Sequence, residues 1–318
     1  MEPEFTVLIA SHKREDMLGQ ALSSLESQTI DHKKFEAVVV KDYQISGEIL
    51  ENRSFQIRVF DSDIQELWKK HLIGVSNAQG KYICFLDDDD LFSRFKLERL
   101  SELLTKDSAD FIVNSKGFFN HKETPEDIQS IKENDEQVYE VRDDIPRNLF
   151  AKIPWYNCSS MTIRTDIAKR YVHLIDGITR EIDPFWFLVG LESASIIIYD
   201  QNKLTLYRRH EGGVSRSNDI EKLCNYAQSA ITNLSKMNNY FKARSARLLI
   251  GYNLTEWKSK SVLLGCVNST KEKITSIISL VRYIQTFSKK WIFALITLLL
   301  ISMVSVQEAR EIYPKFFR

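Results

Sequence analysis

A chain of 318 residues with 43% hydrophobic and 27% charged residues is too apolar to be disordered, and it has room for one large domain with an appendage. Its 43 Lys and Arg balance 43 Asp and Glu, which argues against a general nucleic-acid binder, because neutralising phosphates needs an excess of cations. The balance is uneven along the chain: residues 241–318 hold 13 basic against 4 acidic residues, so an acidic body precedes a basic tail.

Phe5–Ala10 is a short apolar run rich in β-branched residues, and Met17, Leu18, Ala21, Leu22 and Leu25 follow at helical spacing. Phe35–Val40, Gln56–Phe60 and Lys81–Leu86 repeat the strand signal, the last after a helical stretch that ends at Gly80. Continuous apolar strands alternating with helices predict a mostly parallel sheet covered on both faces, an α/β fold. Residues 116–147 are polar and aperiodic and are expected as a long surface excursion. Order returns with a strand at Ser160–Ile163, a helix at Thr165–Tyr171, an apolar helix around Phe185–Leu191 and a strand at Ser195–Tyr199. Helical periodicity dominates beyond Asp219.

Ile277, Ile278, Val281, Ile284, Phe287 and Trp291 fit an amphipathic helix, and Trp291–Val306 carries no charge. Sixteen helical residues span about 24 Å, short of the roughly 30 Å hydrocarbon core. With Lys289 and Lys290 before it and Arg310, Lys315 and Arg318 after it, the segment is expected to associate with an anionic membrane face, the alternative being a protein core or a homodimer interface. The four cysteines lie far apart without metal-finger spacing, which suggests free thiols in a reducing compartment. Acidic Met1–Glu4 has no basic leader character, so the catalytic part is expected in the cytoplasm at the inner membrane face.

Asp87, Asp88, Asp89 and Asp90 close the Lys81–Leu86 strand, where open α/β sheets place their ligand crevice. Four adjacent carboxylates repel one another, and a divalent cation offsets that charge. Asp87 and Asp89, at alternate positions, point the same way from an extended chain and suit a hard ion shared with a nucleotide's phosphates. The plainer alternative makes Asp90 the N-cap of a helix over Leu91–Leu104.

Gly74, Ala78, Gly80, Tyr82, Ile83, Phe85, Leu86, Asp87, Asp89 and Asp90 resemble the G-x-x-x-A-x-G-x-Y-I-x-F-L-D-x-D-D stretch of family 2 glycosyltransferases. Thr6–Arg14 is similar to the family's V-S-V-I-I-P-T-Y-N-R, Leu18–Thr29 to L-x-x-x-L-x-S-L-x-x-Q-T, and Phe35–Asp42 to F-E-I-I-V-V-D-D. The resemblance covers about residues 5–215. It implies a GT-A catalytic domain over 1–215, a helical region over 216–318, and an inverting transfer of one sugar from a nucleotide sugar, with UDP as the nucleotide and Mn2+ or Mg2+ as cofactor. The acceptor would be a saccharide or lipid-linked saccharide in surface polysaccharide or glycan synthesis.

Carried over by position, Ser11 and Arg14 would lie beside the nucleotide and Asp42 would hydrogen-bond the base. Asp87 and Asp88 would join the donor site, and Asp89 would be the more direct metal ligand. Lys41 departs from the family's first aspartate there, and His71-Leu72 stands where many members have Arg-Asn. Lys69 and Lys70 are expected to face solvent, with phosphate binding as the alternative. A general base must sit near the acceptor hydroxyl. Asp183 is the first candidate and Glu181 the second, although Ile182 separates the usual acidic pair and Asp183 before Pro184 also suits an N-cap. Tyr207–Ser215 resembles Y-R-x-H-x-G-S-x-S, which would put Arg208 at the leaving diphosphate and His210 on the metal. A nucleotidyltransferase and a non-catalytic nucleotide-sugar-binding relic are the competing readings. The first lacks its Gly-rich loop after strand one, since Ala10–Gly19 contains only Gly19.

Overall fold

The computed structural model describes residues 2–120, 138–142, 157–209, 219–267, 269–283 and 289–304. Two compact units emerge, one built on a sheet and one made of the C-terminal helices.

In the first unit β1 (Phe5–Ser11), β2 (Phe35–Lys41), β3 (Gln56–Asp61) and β4 (Tyr82–Asp87) run parallel in the order β3-β2-β1-β4. β1 and β2 are buried at every residue, as their unbroken apolar runs demand, while β3 is partly exposed at the edge. Strand alternation divides the core. Phe5, Val7 and Ile9 join Tyr82, Cys84 and Leu86 on one face, under Leu18, Leu22 and Leu25 of α1 (Glu15–Glu26) and Leu97 and Leu100 of α3 (Lys96–Asp107). Leu8 faces the other side, against α2 (Leu67–Asn77).

The small residues before β4 have a packing cause. A Cβ on Gly74 would lie 2.4 Å from the Leu8 side chain, and one on Gly80 would lie 2.4 Å from the backbone of Phe5 and Thr6. Only glycine allows the chain this close to β1.

The sheet continues through β5 (Leu91–Phe92), β6 (Phe111–Asn120), β7 (Val138–Arg142), β8 (Met161–Arg164) and β9 (Ile196–Arg209). The path is β3-β2-β1-β4-β8-β6-β9-β5, with β7 also on β9. β8 runs antiparallel to β4 and β6, and β9 runs parallel to β6. Two further helices, α4 (Thr165–Tyr171) and α5 (Ile182–Ser193), lie between β8 and β9, and α5 is apolar and buried from Pro184 to Leu191.

Three expectations change here. Leu91 and Phe92 do not open a helix: they pair with Leu206 and Thr205 of β9, and the helix begins at Lys96 with Phe95 at its N-cap, so Asp90 caps nothing. The excursion expected over 116–147 is in part strand, because β6 runs on to Asn120 and β7 pairs with β9. β9 likewise continues past Tyr199 to Arg209.

The second unit contains α6 (Ile220–Tyr240), α7 (Arg244–Leu263), α8 (Thr270–Val281) and α9 (Lys289–Val304). Cys224 and Cys266 form a disulfide across a Cα separation of 5.5 Å, which corrects the expectation of four free thiols and runs against a reducing compartment. Their sequence separation of 42 hides the proximity that α6 and the turn after α7 create. Cys84 and Cys158 are free and buried.

The amphipathic stripe and the apolar segment are not one continuous helix, since α8 ends at Val281; residues 284, 287 and those beyond 304 lie outside the described residues. Ile274, Ile278 and Val281 face outward while Lys273, Ser276 and Leu280 face in, the Lys273 ammonium donating to the Ser302 carbonyl at 2.6 Å. α9 buries Ile292, Leu295, Leu298 and Leu299 and exposes about half of Phe293, Leu300 and Met303. One face is thus protein core. Among the described residues no helix is long and apolar enough to cross a membrane.

Candidate active site

The site forms where β1, β2 and β4 end side by side, Ala10 in register with Asp87 and Ser11 with Lys41. The Asp90 N–H donates to the Asp87 carbonyl at 3.0 Å and closes a tight acidic turn. The loop after β1 grips that turn. Asp88 is fully buried and accepts from the Ser11 hydroxyl (2.9 Å) and the His12 N–H (3.1 Å), and it pairs with Arg14 at 2.5 Å. Arg14 also pairs with Asp89, and Ser11 shares a 2.8 Å hydrogen bond with Tyr43. Ser11, Arg14, Asp87, Asp88 and Asp89, which the sequence pattern places at the donor and metal site, lie together here.

Asp42, at the end of β2, contacts His12 Nδ1 (2.6 Å) and Lys70 Nζ (2.9 Å), with only 4% of its side chain exposed. Despite the cost of burial, these partners hold its carboxyl below the usual range. Lys70 is therefore not a solvent-facing lysine: it is buried and neutralises Asp42. Lys41 pairs with Asp61 directly across β2 and β3. His71 is a core residue, stacked on Phe85 and accepting at Nδ1 from the Trp186 indole at 2.8 Å. Burial lowers its pKa to about 3, so it stays neutral.

Asp87, Asp89 and Asp90 each present a carboxylate oxygen, all within 4.8 Å of one another. Burial and the neighbouring carboxylates, Asp183 foremost, push Asp87 well above the carboxylate range, and burial together with Asp89 pushes Asp90 up to about 7. Three crowded oxygen ligands, Asp90 buried and Asp87 and Asp89 half-buried, fit a hard divalent cation, which would supply the missing positive charge.

Asp183 reaches this cluster from the first turn of α5. That helix is anchored by Trp186, whose ring centroid lies 4.9 Å from that of Phe85 on β4. Asp183 accepts the Cys158 N–H at 2.9 Å rather than capping its own helix, and burial raises its pKa. Glu181 stands at the helix N-cap with φ of 67°.

From the other side, Arg208 on β9 donates its backbone N–H to Asp90 (3.0 Å), its Nε to the Asp89 carbonyl (2.7 Å) and its Nη2 to Gln20 (2.7 Å). Its guanidinium holds the acidic turn. His210 lies outside the described residues. Lys116 on β6, mostly buried above the Tyr207 ring at 4.8 Å, feels the charges of Asp183, Asp90 and Asp87. It was hidden because it begins a stretch whose polarity reads as surface.

A family model described as glycosyl transferase family 2 matches residues 6–171, just over half the chain. The chain belongs to that family. Among curated relatives, an uncharacterized glycosyltransferase of Rickettsia felis is 30% identical over 135 residues, 41% of this chain and 22% of that protein. Glycosyltransferase GlyA of Streptococcus pneumoniae is 29% identical over 128 residues, 39% of this chain and 18% of GlyA. The match thus spans about a fifth of these relatives' length. Among solved structures, S. aureus TarS 1-349 in complex with UDP-GlcNAc superposes with a TM-score of 0.60 at 17% identity, covering 98% of this chain and 92% of that one. Mannosyltransferase PcManGT from Pyrobaculum calidifontis, in complex with GDP-Man and Mn2+, gives 0.54 at 11%, covering 98% and 87%. At these identities the likeness is one of fold, and it establishes the GT-A architecture of this family member.

The raised Asp90 pKa makes stability depend on pH and cation together. Between about pH 4 and pH 7 the folded protein retains a proton that the unfolded chain has lost, so this group's contribution falls as pH rises through that window. A cation that binds the ionised form offsets the loss. Mn2+ is expected to raise the melting temperature more at pH 8 than at pH 5; scanning fluorimetry at both pH values checks this, and equal shifts would count against a cation at Asp90.

Proposed function

We propose that this chain transfers a single sugar from a nucleoside diphosphate sugar, with UDP as the nucleotide, to a hydroxyl of a saccharide or lipid-linked saccharide, inverting the anomeric centre. The observation that carries the reading is the meeting of Asp87, Asp89 and Asp90 with Asp183, a half-buried carboxylate of raised pKa whose charge acts on Asp87, at the ends of the parallel strands. The UDP-GlcNAc bound by one structural neighbour and the GDP-Man and Mn2+ bound by another support a nucleotide-sugar donor and a divalent cation.

Residues 1–215 would be the catalytic domain and 216–318 the helical region. Bound at Asp87, Asp89 and Asp90, Mn2+ or Mg2+ would draw charge from the diphosphate. Arg14 lies beside Asp88 and Asp89 and adds a fixed positive charge where the phosphates would sit. Asp183 would take the proton of the acceptor hydroxyl as its oxygen bonds to the anomeric carbon. The bond from that carbon to the diphosphate oxygen breaks, and its electron pair leaves with the nucleoside diphosphate. The raised pKa of Asp183 suits this step, because a stronger base accepts the proton more readily. The basic tail and the outward apolar side chains of α8 and α9 support docking at an anionic membrane surface, where a lipid-linked acceptor of a surface glycan would be presented.

The test supplies a panel of nucleotide sugars, Mn2+ and membrane extract and reads nucleoside diphosphate release and product stereochemistry by NMR. Cation-dependent release and an inverted product are expected. A retained configuration would overturn inversion, and no release with any donor would favour the non-catalytic binding relic.

A further inference from the structure

The acids of the site come from separate elements. Asp87 ends β4, Asp90 closes the turn after it, and Asp183 lies on α5, almost a hundred residues further on. One short segment touches all three. Asn157 and the single 3-10 turn Cys158–Ser160 are fully buried just before β8. The Asn157 Nδ2 donates to Asp90 Oδ2 at 2.9 Å, the Cys158 N–H donates to Asp183 Oδ1 at 2.9 Å, and the Ser159 hydroxyl accepts the Asp87 N–H at 3.0 Å.

The segment is itself fixed. The Ser160 hydroxyl donates to Asn157 Oδ1 at 2.7 Å, which orients the amide so that its NH2 faces Asp90. The Ser159 carbonyl accepts from Lys96 Nζ at 2.5 Å and from the Thr205 hydroxyl at 2.7 Å. Lys96 is wholly buried on α3, with its ammonium 3.8 Å above the Phe92 ring. Burial lowers its pKa to about 7, and a buried amine is expensive unless its donors are used; here they brace the floor of the site.

We propose that Asn157–Ser160 is the positioning element of the acidic site, with Asn157, locked by Ser160, setting the Asp90 carboxylate for cation binding. The inference rests on the reading of Asp87, Asp89 and Asp90 as the cation site. Asp90 is held by Asn157 at Oδ2, by the Arg208 N–H at Oδ1 and by the Ser159 side chain, so two of its three partners come from this one segment, and loss of the Asn157 bond would loosen its carboxylate relative to Asp87 and Asp89. Groups that orient a metal-binding carboxylate typically contribute about 10- to 100-fold in metal affinity.

The test is calorimetric titration of the full chain with Mn2+ in the presence of UDP, alongside thermal melts, for wild type, Asn157→Ala, Asp90→Ala and the double variant. Asn157→Ala is expected to weaken Mn2+ binding about 10- to 100-fold. In the Asp90→Ala background the same substitution should cost less than about twofold, because a residue acting through Asp90 has nothing left to position. Ser160→Ala, which frees the amide without removing it, should give a smaller loss that also vanishes in that background, and it serves if Asn157→Ala does not fold. Unchanged affinity in the folded single variants, or an equal loss with and without Asp90, would overturn the positioning role. If the wild type binds Mn2+ neither alone nor with UDP, the cation site itself fails, and the positioning role with it.

Discussion

Asp89→Ala is expected to lower cation-dependent sugar transfer by about a thousandfold, equivalent to about 4 kcal/mol of transition-state stabilisation. The size follows from its place in the turn. Asp88 is buried under Ser11, His12 and Arg14, and Asp90 is buried and held by Asn157 and Arg208, whereas Asp89, like Asp87, is partly exposed, and it pairs with Arg14. Its removal costs the cation a ligand and leaves Arg14 with Asp88 alone. Its carbonyl, the acceptor for Arg208 Nε, survives the substitution, so the turn should keep its shape. Steady-state kinetics with saturating donor and Mn2+, paired with a melting curve, is the measurement. Activity within tenfold of wild type in a folded variant would remove Asp89 from the cation site.

The parts of this design legible in the sequence are those written in contiguous residues. Unbroken apolar runs gave β1, β2 and β4 to within a residue, because strands buried on both faces need no alternation. The acidic turn showed itself as four like charges ending such a run. Long-range pairing left no such trace. Lys70 and His71 look like a polar helix face until Asp42 and Trp186 are brought to them from other elements. Cys224 meets Cys266, and Leu91 leaves helical periodicity for a strand, only through partners 42 and 115 residues away. The Asn157–Ser160 turn is three small polar side chains and a cysteine, a composition typical of loops, and its role exists only in where its hydrogen bonds end.

Asp183→Asn separates the transfer step from donor binding. The amide nearly preserves the side chain's volume, and its Oδ1 can still accept the Cys158 N–H that now holds the carboxylate, so α5 should stay seated on Phe85 through Trp186. What disappears is the basicity. A neutral amide takes no proton from a hydroxyl, and a positioned general base contributes about 10²- to 10⁴-fold, so single-turnover transfer should fall by that factor. Calorimetric affinity for UDP with Mn2+ should stay within about twofold, since Asp87, Asp89 and Asp90 keep their oxygens. Glu181→Gln provides the contrast, because Glu181 belongs to the backbone that enters α5 rather than to the helix. If Glu181→Gln carries the rate loss while Asp183→Asn retains transfer, the base assignment moves to Glu181. If both variants lose donor affinity in step with rate, this end of α5 holds the donor rather than the acceptor.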